Sequence, residues 1–202
     1  MSHVDSISSP DGHGRETAFG FRPANVKKIV LTGGTSGGKT TFMEIARQRL
    51  EALGYTVYTI NETATEQRMN GIMEDDDFDA LAFQRFVTAE TIWKERFYEH
   101  VAAERNPSKP VVVLSDRGVL DGKAFLDDDA MFELLLAEHG VTSASVLDAY
   151  DGVIHLVTAA DGAAEHYGDD GNPVRTEDAD GALGVDRRCK EVWSGHPHWA
   201  CV

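Results

Sequence analysis

"LTGGTSGGKTT", residues 31 to 41, decides how this chain is read. It follows an apolar run, "VKKIV". It precedes "FMEIARQRLEAL", where Phe42, Ile45, Ala46, Leu50 and Leu53 recur at helical spacing and Gly54 supplies a stop. Within it Gly33, Gly38, Lys39 and Thr40 fall on the spacing G-x-x-x-x-G-K-[ST]. Glycine lets the backbone from Gly33 through Gly34, Thr35, Ser36 and Gly37 to Gly38 curl until several N–H groups point into one concavity. The N-terminus of the helix that follows adds partial positive charge there. In such a loop Lys39 reaches the β- and γ-phosphates of a nucleoside triphosphate, GTP or ATP. The Thr40 hydroxyl holds Mg²⁺, with Thr41 beside it. Lys39 is expected to face solvent while the loop is empty. A plain tight connection is the competing reading of the glycines, but it leaves the lysine and threonine unexplained.

Outward from the loop, strand and helix patterns alternate. "VKKIVLT" (26–32), "YTVYTI" (55–60), "VVVLS" (111–115) and "GVIHLVT" (152–158) read as strands. The third is apolar throughout, as a parallel strand covered on both faces should be. A long amphipathic helix is expected over 78–105, with Phe83, Phe86, Ala89, Ile92, Trp93, Phe97 and Val101 on one broad face. Shorter helices are expected over 129–138, 143–149 and 177–193. This order predicts an α/β fold of the P-loop NTPase type, kinase-like, with a parallel sheet sandwiched by helices. "HWACV" begins a fifth strand. The sequence reading expects that strand to be truncated at Val202, and the domain, residues 25–202, to be incomplete with an open sheet edge. Residues 1–24, rich in Ser, Gly, Pro and Asp, read as a disordered leader.

Composition narrows the partners. The 19 Lys and Arg against 34 Asp and Glu give a net charge of −15, which disfavours a nucleic-acid partner and flat adsorption to anionic membrane. Cys189 and Cys201 fit neither a metal spacing nor a secreted disulfide framework. No run of about 18 apolar residues suggests a transmembrane segment. A cytoplasmic protein is expected.

Other residues complete a phosphate site. Asp116 ends the third strand, where ligands collect in open α/β sheets. It can hold Mg²⁺ through water or accept a hydroxyl proton, or be an ordinary turn carboxylate. Arg117 has the planar fork of a phosphate clamp. Glu62 ends the second strand. It can face the same pocket as Asp116 as an acceptor-binding or basic group, or simply sit at a helix N-terminus. The polar, glycine-rich segment 159–190 suits a mobile cover over a nucleotide, with Arg175, Arg187 and Arg188 as candidate clamps. In "TAAD" (158–161) Asp161 has the spacing of a guanine reader, although Ala159 stands where lysine is usual. "HPH" (196–198) lacks a third metal ligand.

Taken together, "LTGGTSGGKTT", "NETAT", "SDRGVLDGKAF", "DGVIHLVTAADGAAEHY" and "DRRCKEVWSGHPH" resemble the AAA-like P-loop domain shared by NadR-type nicotinamide riboside kinases and eukaryotic TRPL translocation defect proteins. The likeness spans about residues 26–198 and is closer to the eukaryotic branch. That branch implies a GTP-binding protein linked to phosphoinositides and membrane-protein trafficking, peripheral to endomembranes. It also implies a β-barrel domain that would follow Val202. The NadR branch implies phosphoryl transfer to a nucleoside such as nicotinamide riboside. On the residues alone, Glu62, Asp116 and the 159–190 segment supply what a kinase needs. A GTP switch would also need D-x-x-G after the third strand, and position 119 is valine, but the closer likeness makes GTP binding with a regulatory role the leading expectation and the nucleoside kinase its alternative.

Overall fold

The computed structural model describes residues 14–35, 37–105, 108–158 and 179–202. In chain order it contains β1 (Gly14–Thr17), β2 (Gly20–Pro23), β3 (Val26–Thr32), α1 (Lys39–Ala52), β4 (Thr56–Ile60), α2 (Thr63–Met69) and α3 (Ala80–Arg105). There follow β5 (Val111–Asp116), a 3₁₀ segment (Val119–Phe125), α4 (Asp129–Ala137), α5 (Ser143–Asp148), β6 (Gly152–His155), α6 (Ala179–Trp193) and β7 (Trp199–Cys201). The main sheet has the order β4-β5-β3-β6-β7, and every pairing in it is parallel. The expected α/β sandwich is therefore present.

Alternation along β3 divides the core. Leu31 packs with Met43 of α1 and with Val112, Leu114 and Leu156 on one face. Val30 packs on the other face with Ile92 of α3, Phe132 and Leu135 of α4, and Trp193 of α6. β5 is buried along its whole length, as its composition requires. Because all five strands run the same way, the carboxyl ends of β3, β4, β5 and β6 open on one edge. That edge receives Gly33, Gly34, Gly38, Glu62, Asp116 and Thr158.

Several expectations change. Residues 14–23, within the stretch read as a leader, form the antiparallel hairpin β1–β2, with Arg15 opposite Arg22. Polar composition hid its anchors. Phe19 enters the core, and Arg22, only 1% exposed, pairs with Glu99 at 3.0 Å and donates to the Ala149 carbonyl at 2.7 Å. Those partners lie far along the chain, so no local pattern announces them. The broad apolar face of α3 also divides: Phe83 and Ile92 are buried, while Phe86 and Trp93 are each about 60% exposed. α2 and the 3₁₀ segment add two short helical elements for which the sequence reading set no bounds. β7, expected to be truncated, spans three residues and pairs with β6 from Val153 to His155. The Val202 N–H then donates to the His155 carbonyl at 2.9 Å, so the β6 edge expected to be partly open is paired over those residues.

Candidate functional site

The loop from β3 into α1 has, at Gly33 and Gly38, backbone that only glycine adopts without strain. Gly33 has φ 127° and Gly38 φ 70°. A Cβ at Gly33 would also lie 2.0 Å from the Leu156 carbonyl oxygen, so the loop's entrance is fixed by contact with the end of β6. Lys39 begins α1. Contrary to the expectation of a solvent-facing lysine, it is 7% exposed and folds back, its Nζ donating to the Gly34 carbonyl at 2.6 Å. Carbonyls of the loop stand in for phosphate oxygens as its partner. Burial, then the neighbouring Arg117, lowers its pKa, with Glu62 and Asp116 opposing.

Thr40 and Asp116 meet at the sheet edge. The Thr40 hydroxyl donates to Asp116 Oδ2 at 3.2 Å across the gap between α1 and β5. Asp116 is 5% exposed, and its Oδ1 is buried with no hydrogen-bond partner among the described residues. Burial, and then the charge of Glu62, push its carboxyl up to about 6. A hydroxyl beside a carboxylate, with one oxygen left over, is a hard-oxygen donor set of the kind Mg²⁺ takes. The residues therefore fit the ion.

Arg117 adopts the left-handed conformation, φ 64°, an uncommon one for a residue with a side chain. The turn aims its guanidinium across the site. Nε donates to Glu62 Oε1 at 2.6 Å, one terminal nitrogen donates to the Gly33 carbonyl at 2.9 Å, and Asp121 lies 3.6 Å away. Burial would raise the Glu62 carboxyl, but Arg117 and Lys39 outweigh it and hold Glu62 at about 2. Glu62 is thus ionised at any working pH. It also stands immediately before α2, where its Oε2 accepts from the Thr65 hydroxyl at 3.0 Å, so it faces the site from a helix N-terminus.

Between α2, α3 and the 3₁₀ segment a cavity opens beside these groups. Glu62, Asp116 and Arg117 line it, and so do Arg68, Gln84, Thr88 and Phe125. Neither Gln84 nor Thr88 is singled out by the sequence, because single polar residues on an apolar helix face carry no signal there. The same holds for Asp186 of α6. Its Oδ1 accepts from the Gly34 N–H at 2.8 Å and the Thr158 N–H at 3.2 Å, holding the loop against the end of β6. Asp121 braces it from the other side, accepting from the Thr32 hydroxyl at 2.5 Å and the Gly118 N–H at 2.8 Å.

Of the remaining candidates, Ser36, Asp161 and Arg175 lie outside the described residues. Arg187 is exposed on α6, and Arg188 approaches Asp127 at 3.7 Å, so neither reaches the Glu62–Asp116 cluster. The helix turns its buried face, with Asp186 and Cys189, toward the loop and leaves Arg187 outward. His196 stands within 3.2 Å of the Tyr150 carbonyl and serves the core. Among the described residues no helix is long and apolar enough to cross a membrane.

A family model described as "AAA domain" matches residues 28–202. The chain belongs to that family. It is a P-loop family of nucleotide-binding domains, as the geometry of residues 33–41 requires. Among solved structures, a thymidylate kinase from Ehrlichia chaffeensis matches with a TM-score of 0.57 and 17% identity, covering 88% of this chain and 92% of that one. The likeness establishes a P-loop kinase fold. No match to a curated protein sequence is found.

Proposed function

We propose that this chain binds a Mg²⁺–nucleoside triphosphate on residues 33–41 and transfers the γ-phosphoryl group to a hydroxyl of a small acceptor held in the adjoining cavity. The observation that carries this reading is the position of that cavity. It opens on Glu62, Asp116 and Arg117 at the edge of the sheet where the phosphate loop ends. A protein that only sensed nucleotide would have no use for a recess there lined with hydrogen-bonding side chains.

Thr40 and Asp116 would hold Mg²⁺, which when bound neutralises charge on the β- and γ-phosphates. Lys39, released from the Gly34 carbonyl, turns to the phosphates. The acceptor hydroxyl donates a hydrogen bond to Glu62, which is ionised at rest. Its oxygen bonds to the γ-phosphorus as the bond to the β–γ bridging oxygen breaks, and the diphosphate leaves with that electron pair. The hydroxyl proton departs by way of the Glu62 carboxylate to solvent. Little base strength is needed, because the transition state of phosphoryl transfer is loose and positioning dominates.

The charges in the cavity also bear on the acceptor. Arg117 is paired with Glu62 at 2.6 Å and Arg68 with Glu74 at 2.6 Å. Both arginines that line it are therefore neutralised, which favours an acceptor without a phosphate of its own, unlike thymidylate. This supports the nucleoside-kinase alternative drawn from the sequence. The GTP preference and the phosphoinositide and trafficking roles rest on resemblance alone. The test is incubation of the full chain with Mg²⁺, γ-labelled ATP or GTP, and a mixture of nucleosides. Label should appear in an organic acceptor. Label found only in the triphosphate or in inorganic phosphate contradicts the reading.

A further inference from the structure

The wall that α3 turns toward the cavity carries Gln84, Thr88 and Thr91, spaced four and three residues apart and hence on one stripe of the helix. Thr91 is satisfied: its hydroxyl donates to the Val87 carbonyl at 2.8 Å and lies 3.1 Å from the Thr63 hydroxyl, next to Glu62. The other two are not. Gln84 is 4% exposed and Thr88 2%, yet Gln84 Oε1 and Thr88 Oγ1 have no hydrogen-bond partner among the described residues. Native interiors seldom leave buried amide and hydroxyl groups unpaired, and two side by side on a cavity wall await a ligand.

Gly122 keeps the space in front of them clear. A Cβ there would stand 3.2 Å from Gln84 Oε1 and 3.5 Å from Thr88 Oγ1, and 3.0 Å from the Phe132 ring. The recess is thus bounded by the 3₁₀ segment on one side and by α3 on the other. Seven residues of helix separate Gln84 from Thr91, about 10 Å. A molecule whose hydroxyl reaches Glu62 and whose other end reaches Gln84 is therefore about the length of a nucleoside.

A carboxamide presents one donor beside one acceptor in either orientation of its amide. The partner that satisfies both at once is a planar edge with its own donor next to an acceptor, a lactam or a second carboxamide. We propose that Gln84 and Thr88, with room left by Gly122, read the far end of the acceptor, and that this end is a planar heterocycle bearing a lactam or carboxamide edge. The assignment deepens, and rests on, the phosphoryl-transfer reading of the same cavity.

The test is calorimetric titration of the full chain with three matched pairs. Uridine is set against pyrimidin-2-one riboside, inosine against purine riboside, and nicotinamide riboside against pyridinium riboside. The second of each pair lacks the edge. At least one member with the edge should bind ten or more times tighter than its counterpart, since a site built to bond a polar edge rejects analogues that lack it. Gln84→Leu should erase that difference and Thr88→Val should reduce it severalfold. Gln84→Glu keeps the shape and an acceptor but loses the donor, and should weaken the same nucleoside. Thermal melting confirms that each variant is folded. Equal binding within every pair, no binding of any edge-bearing member, or a preference that survives in folded Gln84→Leu overturns the assignment. If nucleosides bind through Gln84 but label is never transferred, the transfer reading falls and this one stands. If label passes to acceptors regardless of their edge, the reverse holds.

Discussion

Replacing Asp116 with asparagine should stabilise the nucleotide-free protein while abolishing its response to Mg²⁺. The carboxylate is 5% exposed, one oxygen has no partner among the described residues, and Glu62 stands ionised nearby. Burial and then Glu62 push its pKa from 3.8 up to about 6. Because the folded value lies above the unfolded one, the folded state holds the proton more tightly. Stability contributed by the neutral acid is complete at low pH and is lost as pH rises through about 6. A shift of about two units corresponds to about 3 kcal/mol. Each kcal/mol moves the Tm of a domain this size by about 2–4 °C, so the variant should melt about 6–12 °C higher at pH 7.5 and nearly level with the parent at pH 4. Glu62 acts in the opposite sense: lowered from 4.5 to about 2, it contributes stability that is complete above pH 4.5 and fades below it, at the acid edge of the window. Thermal melts from pH 4 to 8 in EDTA, repeated with Mg²⁺ and nucleotide, measure both effects. A variant that melts lower than the parent at pH 7.5, or keeps the parent's decline between about pH 4 and 6, refutes the reasoning.

Lys39→Ala should weaken Mg–nucleotide binding at least tenfold, about 1.4 kcal/mol, in a titration of folded protein. Unchanged affinity would remove residues 33–41 from the phosphate site. Gly33→Ala sets a Cβ 2.0 Å from the Leu156 carbonyl at φ 127° and should cost about 3 kcal/mol or more, seen as a lost or sharply lowered melting transition. A soluble variant with the parent's Tm would mean the loop is not held by β6. Arg22→Ala removes one of two cations from Glu99, which keeps Lys28 at 2.9 Å, together with the contacts to Asp151 and the Ala149 carbonyl, and should destabilise by about 1.5–3 kcal/mol in urea. A loss below about 1 kcal/mol would detach the β1–β2 hairpin from the core.

What the sequence discloses follows from how local each signal is. The loop at 33–41 and Asp116 at the end of "VVVLS" are legible because their residue types, spacing and flanking apolar runs lie within a few positions. Glu62 and Arg117 are legible as candidates but not as a pair, since 55 residues separate them and only the β4–β5 pairing brings them to 2.6 Å. The hairpin of residues 14–23 is missed because its hold on the core comes from Glu99 and Ala149 rather than from its own composition. On α3 periodicity finds the helix and not its faces. Gln84 and Thr88 are buried on the cavity side, while Phe86 and Trp93 point outward. Hydrophobicity alone predicts the opposite arrangement, and the cavity overrides it by giving α3 a polar wall to present.

The central claim, phosphoryl transfer beside Glu62, is tested most directly by ³¹P NMR of the full chain with Mg²⁺, ATP or GTP, and the nucleoside it binds most tightly. A new phosphomonoester resonance should grow in step with the diphosphate. Glu62→Gln should slow it by about a hundredfold, in the range typical for a group that receives the hydroxyl proton, with nucleotide still bound. Triphosphate that is bound but persists, or that yields only inorganic phosphate, would contradict the account.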